Sequence, residues 1–152
     1  MGLIPTSFPD CVVAIGAEGT EGKGQWVASG FFFGHFLSTE EEGTKTYRTY
    51  LVSNRHVFEE MSKAYVRCNP QTNEPARVYH LSLEDPNGKA LWFAHPDHNV
   101  DVAVVPVDFN LLEKHGMQAS YFRGDTHAAT TDKLVELGIT EGDFAYVLGF
   151  PM

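Results

Sequence analysis

The sequence predicts an all-β fold: an antiparallel barrel of six to seven strands, with short helices near the C-terminus. Short apolar segments rich in β-branched and aromatic residues recur through the first two thirds of the chain, and turn residues such as Asn69-Pro70 and the stretch 85–88 separate them. No helical segment alternates with these strands, so a parallel α/β sheet is not expected. The predicted strands are 11–15, 25–37, 47–52, 64–68, 76–83, 90–94 and 101–107.

The longest predicted strand, 25–37, contains the aromatic run 31–33. Because side chains alternate between the two faces of a strand, Phe32 should point into the core, opposite to its two neighbours. Gly30 and Gly34 interrupt the strand on either side of the run. Glycine inside a strand often marks a sharp bend or a close approach of other groups, so these two positions predict a corner of the barrel.

The pattern changes after residue 108. The segment 109–115 has apolar residues at helical spacing, and Thr131 or Asp132 can cap a second short helix. Residues 144–150 are apolar and predict one last strand. We therefore divide the chain into a barrel at 1–117, an inter-barrel linker with a short helix at 118–143, and the first strand of a truncated second barrel at 144–152.

Composition restricts the class of partner. The 152 residues are enough for one ordinary domain, and their net charge of -9 makes nucleic acid an unexpected partner. No apolar run approaches the roughly 20 residues that span a membrane, and the N-terminus lacks the features of a secretory signal. Cys11 and Cys68 are predicted to be buried free thiols, with a disulfide as the less favoured alternative. A cytoplasmic location is the resulting expectation.

The candidate chemistry centres on His56, which follows a predicted strand and precedes a short helix predicted at 57–61, for which Asn54 can provide the cap. A histidine at such a turn works as a general base when a carboxylate fixes its orientation and tautomer. Asp101 opens the strand 101–107, whose apolar residues occupy both faces and so predict burial on both sides. A lone buried carboxylate is costly, so Asp101 should have a partner, and we expect that partner to be His56.

Simpler interpretations of these residues stay open. His56 could be an ordinary surface histidine, and Asp101 an ordinary turn residue before a buried strand. His95, Asp97 and His98, with Asp101 three residues further on, have the side-chain types of a metal site. This run is a proline-containing loop rather than the rigid frame that zinc usually requires, so we predict neither a metal nor a cofactor.

Three motifs occur in a fixed order: Ala-Ser-Gly-Phe-Phe at 28–32, Leu-Val-Ser-Asn-Arg-His-Val at 51–57, and Asp-Val-Ala-Val-Val at 101–105. They resemble the Gly-Ser-Gly-Phe strand, the catalytic-histidine segment and the Asp-Ile-Ala-Val strand of the trypsin-like (chymotrypsin-fold) serine peptidases, especially bacterial ones of the high-temperature-requirement protease kind. Residues 142–151 resemble the strand with which the second barrel of that family begins. The likeness covers nearly the whole chain.

The resemblance implies a serine endopeptidase that acts on polypeptides, with His56 as the general base and Asp101 as the group that orients it. The family's nucleophilic serine, oxyanion hole and specificity pocket belong to the second barrel, and none of the seven serines here lies in a Gly-x-Ser-Gly setting. We therefore expect the chain to be the N-terminal portion of such a peptidase and to be inactive by itself. Arg55 departs from the family, which more often has a small or amide residue before the histidine.

Two other functions remain open. The chain could be a non-catalytic module of the same fold that binds proteins, with the histidine and aspartate as relics. The nucleophile could also be a cysteine beyond this chain, since Cys11 and Cys68 lie in strands too early in the sequence to serve. If no second barrel covers the predicted strand at 144–150, its apolar side should drive self-association of the chain.

Overall fold

The computed structural model describes residues 4–18 and 24–150, and this part of the chain is all-β, with eight strands and three short α-helices. A 3₁₀ turn at Pro9–Cys11 precedes the first strand. The strands are β1 Val12–Glu18, β2 Gly24–Thr39, β3 Lys45–Ser53, β4 Lys63–Cys68, β5 Arg77–Ser82, β6 Phe93–Ala94, β7 Ala103–Pro106 and β8 Phe122–Arg123. The helices are α1 Arg55–Glu59, α2 Phe109–Lys114 and α3 Thr131–Glu136.

The eight strands form one sheet in which β5, β4, β1, β2, β3, β7 and β6 are neighbours in that order. All of these pairs are antiparallel, whereas β8 pairs with β2 in parallel. The all-β class predicted from the sequence is therefore confirmed. No ladder joins the end strands β5 and β6 in the described residues, so the closure of the barrel stays a prediction.

The core lies against one face of the long strands, as the alternation of side chains predicted. Phe32 is 2% exposed, whereas Phe31 beside it is 37% exposed. Gly30 marks a close approach between strands, since a Cβ atom there would lie 2.9 Å from the carbonyl oxygen of Val52 and 2.7 Å from Cδ1 of Ile15. Any side chain at this position would separate β2 from its neighbours, which explains why the strand carries glycine there.

Several predicted elements differ in extent. The predicted strand 101–107 is shorter and is buried on one face only, because Ala103 and Val105 point into the core while Pro106 points to solvent. The strand predicted at 90–94 is reduced to two residues. Residues 144–150 form no strand, since they lie along no other strand, and Phe144 is 99% exposed. The division into domains stays a prediction, and residues 151 and 152 lie outside the described part.

The helix caps also differ from those predicted. Helix α3 is capped by Thr130, whose side-chain oxygen accepts a hydrogen bond from Lys133 N at 3.3 Å. The predicted cap, Thr131 or Asp132, was therefore wrong. Gly116 and Gly138 follow α2 and α3 with φ of +69° each, which confirms that both glycines end helices.

None of the helices in the described residues is long and apolar enough to cross a membrane.

Candidate active site

Two neighbouring strands bring the predicted site residues together. Strands β3 and β7 are paired, with Ser53 opposite Ala103, so that the end of β3 lies beside the start of β7. Helix α1 begins two residues after β3, and His56 is its second residue. Asp101 lies two residues before β7. The sheet register therefore brings His56 and Asp101, which are 45 positions apart in the sequence, to the same end of these two strands.

The carboxylate of Asp101 holds His56 at two points. Nδ1 of the His56 imidazole lies 2.6 Å from Oδ2 of Asp101, and the backbone N–H of His56 donates to Oδ1 at 3.0 Å. An ionised carboxylate only accepts hydrogen bonds, so the neutral imidazole must carry its proton on Nδ1. The ring is thus fixed in position and in tautomer, and its lone pair is at Nε2.

Asn54 contributes to this arrangement in a way that the sequence did not reveal. It is the N-cap residue of α1, but its side chain makes no cap hydrogen bond. Its Nδ2 group instead donates to the backbone oxygen of Asp101 at 3.1 Å. The helix also starts at Arg55 rather than at 57. The backbone N–H of His56, in the first turn, has no acceptor within the helix and donates to the Asp101 carboxylate instead. Asp101, from the loop just before β7, therefore takes the place of the predicted Asn54 cap.

Asp101 is partly open to solvent rather than buried, because it precedes the part of β7 that enters the core. Its side chain is 47% exposed and that of His56 is 63% exposed. The backbone N–H of His56 lowers the pKa of Asp101 most, and the hydrogen bond from the His56 ring lowers it further. The carboxylate is consequently ionised throughout the neutral range, as an acceptor for Nδ1–H must be.

Nε2 of His56 makes no hydrogen bond within residues 4–18 and 24–150. Two serines on the nearby strands are engaged elsewhere: Ser53 Oγ donates to the backbone oxygen of Ser29 at 3.0 Å, and Ser29 Oγ accepts from Phe150 N at 2.8 Å. The proton-accepting nitrogen of the imidazole is therefore without a partner in the described residues, on a side chain that is 63% exposed.

Arg55 is a site residue whose role the sequence did not predict. Its side chain is buried, 7% exposed, and points to the loop that leads to Asp101. Nη1 contacts Nδ1 of His98 at 3.0 Å, and Nη2 donates to the backbone oxygens of His95 and Asp97. An arginine directly before the histidine was the one feature of the sequence that marked this position as unusual. No local pattern, however, indicated which groups Arg55 would contact.

The His95–His98 loop, considered above as a metal site, has other hydrogen-bond partners. Nδ1 of His95 accepts from the backbone N–H of Asp97 at 3.1 Å, and Nδ1 of His98 is turned toward Arg55. Oδ1 of Asp97 accepts from the backbone and side chain of Asn99. In the described residues no three His, Cys, Asp or Glu side chains are grouped so as to hold a metal ion.

Both cysteines are buried free thiols, in agreement with the favoured interpretation of the sequence. Burial raises the pKa of Cys68 to about 11, and burial together with the neighbouring Asp10 raises the pKa of Cys11 to about 11. The thiolate is the nucleophilic form of cysteine, so neither side chain is suited to nucleophilic catalysis.

No protein-family model matches the chain, and neither a curated protein nor a solved structure matches it at a significant level. The functional argument therefore depends on the geometry of the site.

Proposed function

We propose that this chain is the histidine- and aspartate-bearing portion of a trypsin-like serine endopeptidase of the bacterial high-temperature-requirement kind. The observation that carries the proposal is the double hydrogen bond between His56 and Asp101, together with an Nε2 atom that has no partner in the described residues. This is the geometry that a general base needs, since a fixed Nδ1–H leaves Nε2 as the proton acceptor.

The proposed chemistry follows from that geometry. Nε2 of His56 removes the proton from a serine hydroxyl as the serine oxygen attacks the carbonyl carbon of a peptide bond. The imidazole then becomes a cation, which the Asp101 carboxylate stabilises across the 2.6 Å contact. His56 returns the proton to the nitrogen of the departing peptide. The serine and the donors that stabilise the oxyanion are proposed to lie beyond residue 152.

The surface beside the pair supports the presence of a further apolar element. A cavity of about 540 Å³ opens on the outer face of the sheet, where Phe31, Phe33, Val52 and Val104 line it. Val52 and Val104 are partners across β3 and β7, directly next to the Ser53–Ala103 pair at the end of the ladder nearest the site. Phe93, paired with Val104, is 64% exposed. An apolar surface of this kind is typical of a contact region, here proposed for the second barrel.

Labelling with a fluorophosphonate, which reacts with activated serines, tests the proposal. The 152-residue chain should stay unlabelled, whereas the protein made from the whole reading frame should be labelled on a serine outside residues 1–152. His56→Gln and Asp101→Asn should slow labelling by about 10³-fold or more. Asp125→Asn is the matched control, because Asp125 is also a partly exposed, ion-paired aspartate, with Lys45 at 2.6 Å, but lies on another loop.

Two results would overturn the proposal. One is specific labelling of a serine within residues 1–152. The other is a labelled protein whose reaction rate is the same in the His56→Gln variant, the Asp125→Asn variant and the wild type. A protein from the whole reading frame that has no activated serine would instead favour the non-catalytic binding module. Labelling on a cysteine would favour the cysteine peptidase.

We further propose a reducing, cytoplasmic compartment for the protein. Two buried cysteines that stay unpaired support this, because oxidising compartments favour disulfides. Mass spectrometry of the protein isolated from its source, unfolded in denaturant and alkylated with and without reduction, tests it. Two alkylated cysteines without reduction are expected, and a disulfide in the isolated protein would contradict the proposal.

A further inference from the structure

Arg55 carries a permanent positive charge in a buried position. The side chain is 7% exposed, and no carboxylate in the described residues forms an ion pair with it. Its Nε atom has no hydrogen-bond partner there either. Burying a charge without an opposite charge, and a polar atom without a partner, both lower stability. An arginine in this place is therefore difficult to explain as a purely structural residue.

What the guanidinium does contact is confined to one short loop. Nη1 contacts Nδ1 of His98, and Nη2 donates to the backbone oxygens of His95 and Asp97. That loop ends three residues before Asp101. On the other side, Arg55 is covalently joined to His56. One side chain thus links the backbone that carries the imidazole to the backbone that carries the carboxylate.

We propose that Arg55 is a positioning residue that sets the distance between His56 and Asp101 by holding the loop 95–98 against helix α1. This inference rests on the proposed function for its catalytic meaning, but its structural content is independent of it. The 2.6 Å contact between His56 and Asp101 joins two half-exposed side chains, which solvent would otherwise separate easily. The buried guanidinium supplies the rigidity that the exposed pair lacks.

The same geometry indicates the tautomer of the loop histidines. A guanidinium only donates hydrogen bonds, so Nδ1 of His98 is the acceptor and the neutral ring has its proton on Nε2. The neutral ring of His95 has the same tautomer, since its Nδ1 accepts from Asp97 N. The two loop histidines therefore carry the tautomer opposite to that of His56, which makes the three rings distinguishable by spectroscopy.

The test measures imidazole ¹⁵N chemical shifts and the exchange rate of the Nδ1 proton of His56 in the 152-residue chain. In the wild type, Nδ1 of His56 should be protonated, and Nδ1 of His98 should be bare. Arg55→Lys keeps the charge but replaces a planar group with several donors by a single ammonium group. We expect the Nδ1 proton of His56 to exchange about tenfold faster or more in this variant.

His98 provides a matched pair of variants at an exposed position, where substitution should leave the chain able to fold. His98→Leu removes the acceptor for Arg55 and should also speed exchange of the His56 proton. His98→Gln keeps an acceptor oxygen and should restore much of the wild-type rate. This pair tests the inference even if Arg55→Lys does not fold. In the labelled protein from the whole reading frame, Arg55→Lys should lower the labelling rate by about 10- to 100-fold.

The outcomes separate the two proposals. Wild-type exchange of the His56 proton in both Arg55→Lys and His98→Leu, or equal effects of His98→Leu and His98→Gln, would overturn the role of Arg55 and leave the peptidase proposal intact. Faster exchange in Arg55→Lys and His98→Leu, with no fluorophosphonate labelling of the protein made from the whole reading frame, would support Arg55 as a positioning residue and count against the peptidase.

Discussion

Phe58 anchors the helix that carries His56, and its truncation gives the sharpest test of how the fold supports the site. Phe58 is 1% exposed and packs in the core, with the Trp92 ring centroid 6.3 Å from its own. A buried phenylalanine removes about 150–250 Å² from water, or about 4–6 kcal/mol at about 25 cal/mol per Å². Because alanine keeps Cβ, Phe58→Ala should lower the free energy of unfolding by about 3–5 kcal/mol.

The assay is urea unfolding followed by tryptophan fluorescence, with Phe144→Ala as the matched control. Phe144 is 99% exposed, so the same substitution there should change the free energy of unfolding by less than about 0.5 kcal/mol. In thermal unfolding, Phe58→Ala should lower Tm by about 6–20 °C. A loss below about 1 kcal/mol at Phe58, or equal losses at both positions, would refute the assignment of Phe58 as the anchor of α1.

Three further predictions concern pH, thiol reactivity and association. Hydrogen bonds from His56 lower the pKa of Asp101 in the folded state. These hydrogen bonds stabilise the fold fully at pH values above the ordinary aspartate pKa. Their contribution is lost as the pH falls through the lowered pKa of the folded state. The difference in unfolding free energy between wild type and Asp101→Asn should therefore shrink on acidification below about pH 4, and a constant difference would contradict this. Cys11 and Cys68, with pKa values raised to about 11, should react with a thiol reagent at neutral pH only after unfolding, and rapid reaction of the native chain would count against their burial. The exposed apolar segment 144–150 should cause concentration-dependent self-association in sedimentation experiments, whereas a monomer at all concentrations would argue against it.

The sequence predicted those features that depend on local alternation or on a strong motif. Phe32 could be assigned to the core because neighbours in a strand face opposite ways. Gly30 could be assigned to a close approach because it interrupts an aromatic strand. The pairing of His56 with Asp101 followed from the chemistry of a general base and from the order of the motifs. None of these required knowledge of the sheet order.

The features that the sequence did not predict depend on contacts between distant segments. The parallel pairing of β8 with β2 joins two residues near 122 to a strand about 90 positions earlier, and two residues are too few to give a pattern. Asn54 has the side chain of a helix cap, but the Asp101 carboxylate occupies that role and leaves Asn54 to bind a backbone oxygen. The solvent exposure of Asp101 depends on where β7 enters the core, which apolar content alone does not reveal.

The Asp101 carboxylate makes two separate contacts, since one oxygen accepts from a backbone N–H in the first turn of α1 and the other contacts the imidazole ring. Substituting Asp101 by a residue without a side-chain acceptor, such as alanine, therefore removes the ring contact and the N–H contact of the helix together. A variant that removes the general base of the proposed peptidase is better made at His56, whose ring can be changed while the backbone N–H that donates to Asp101 remains in place.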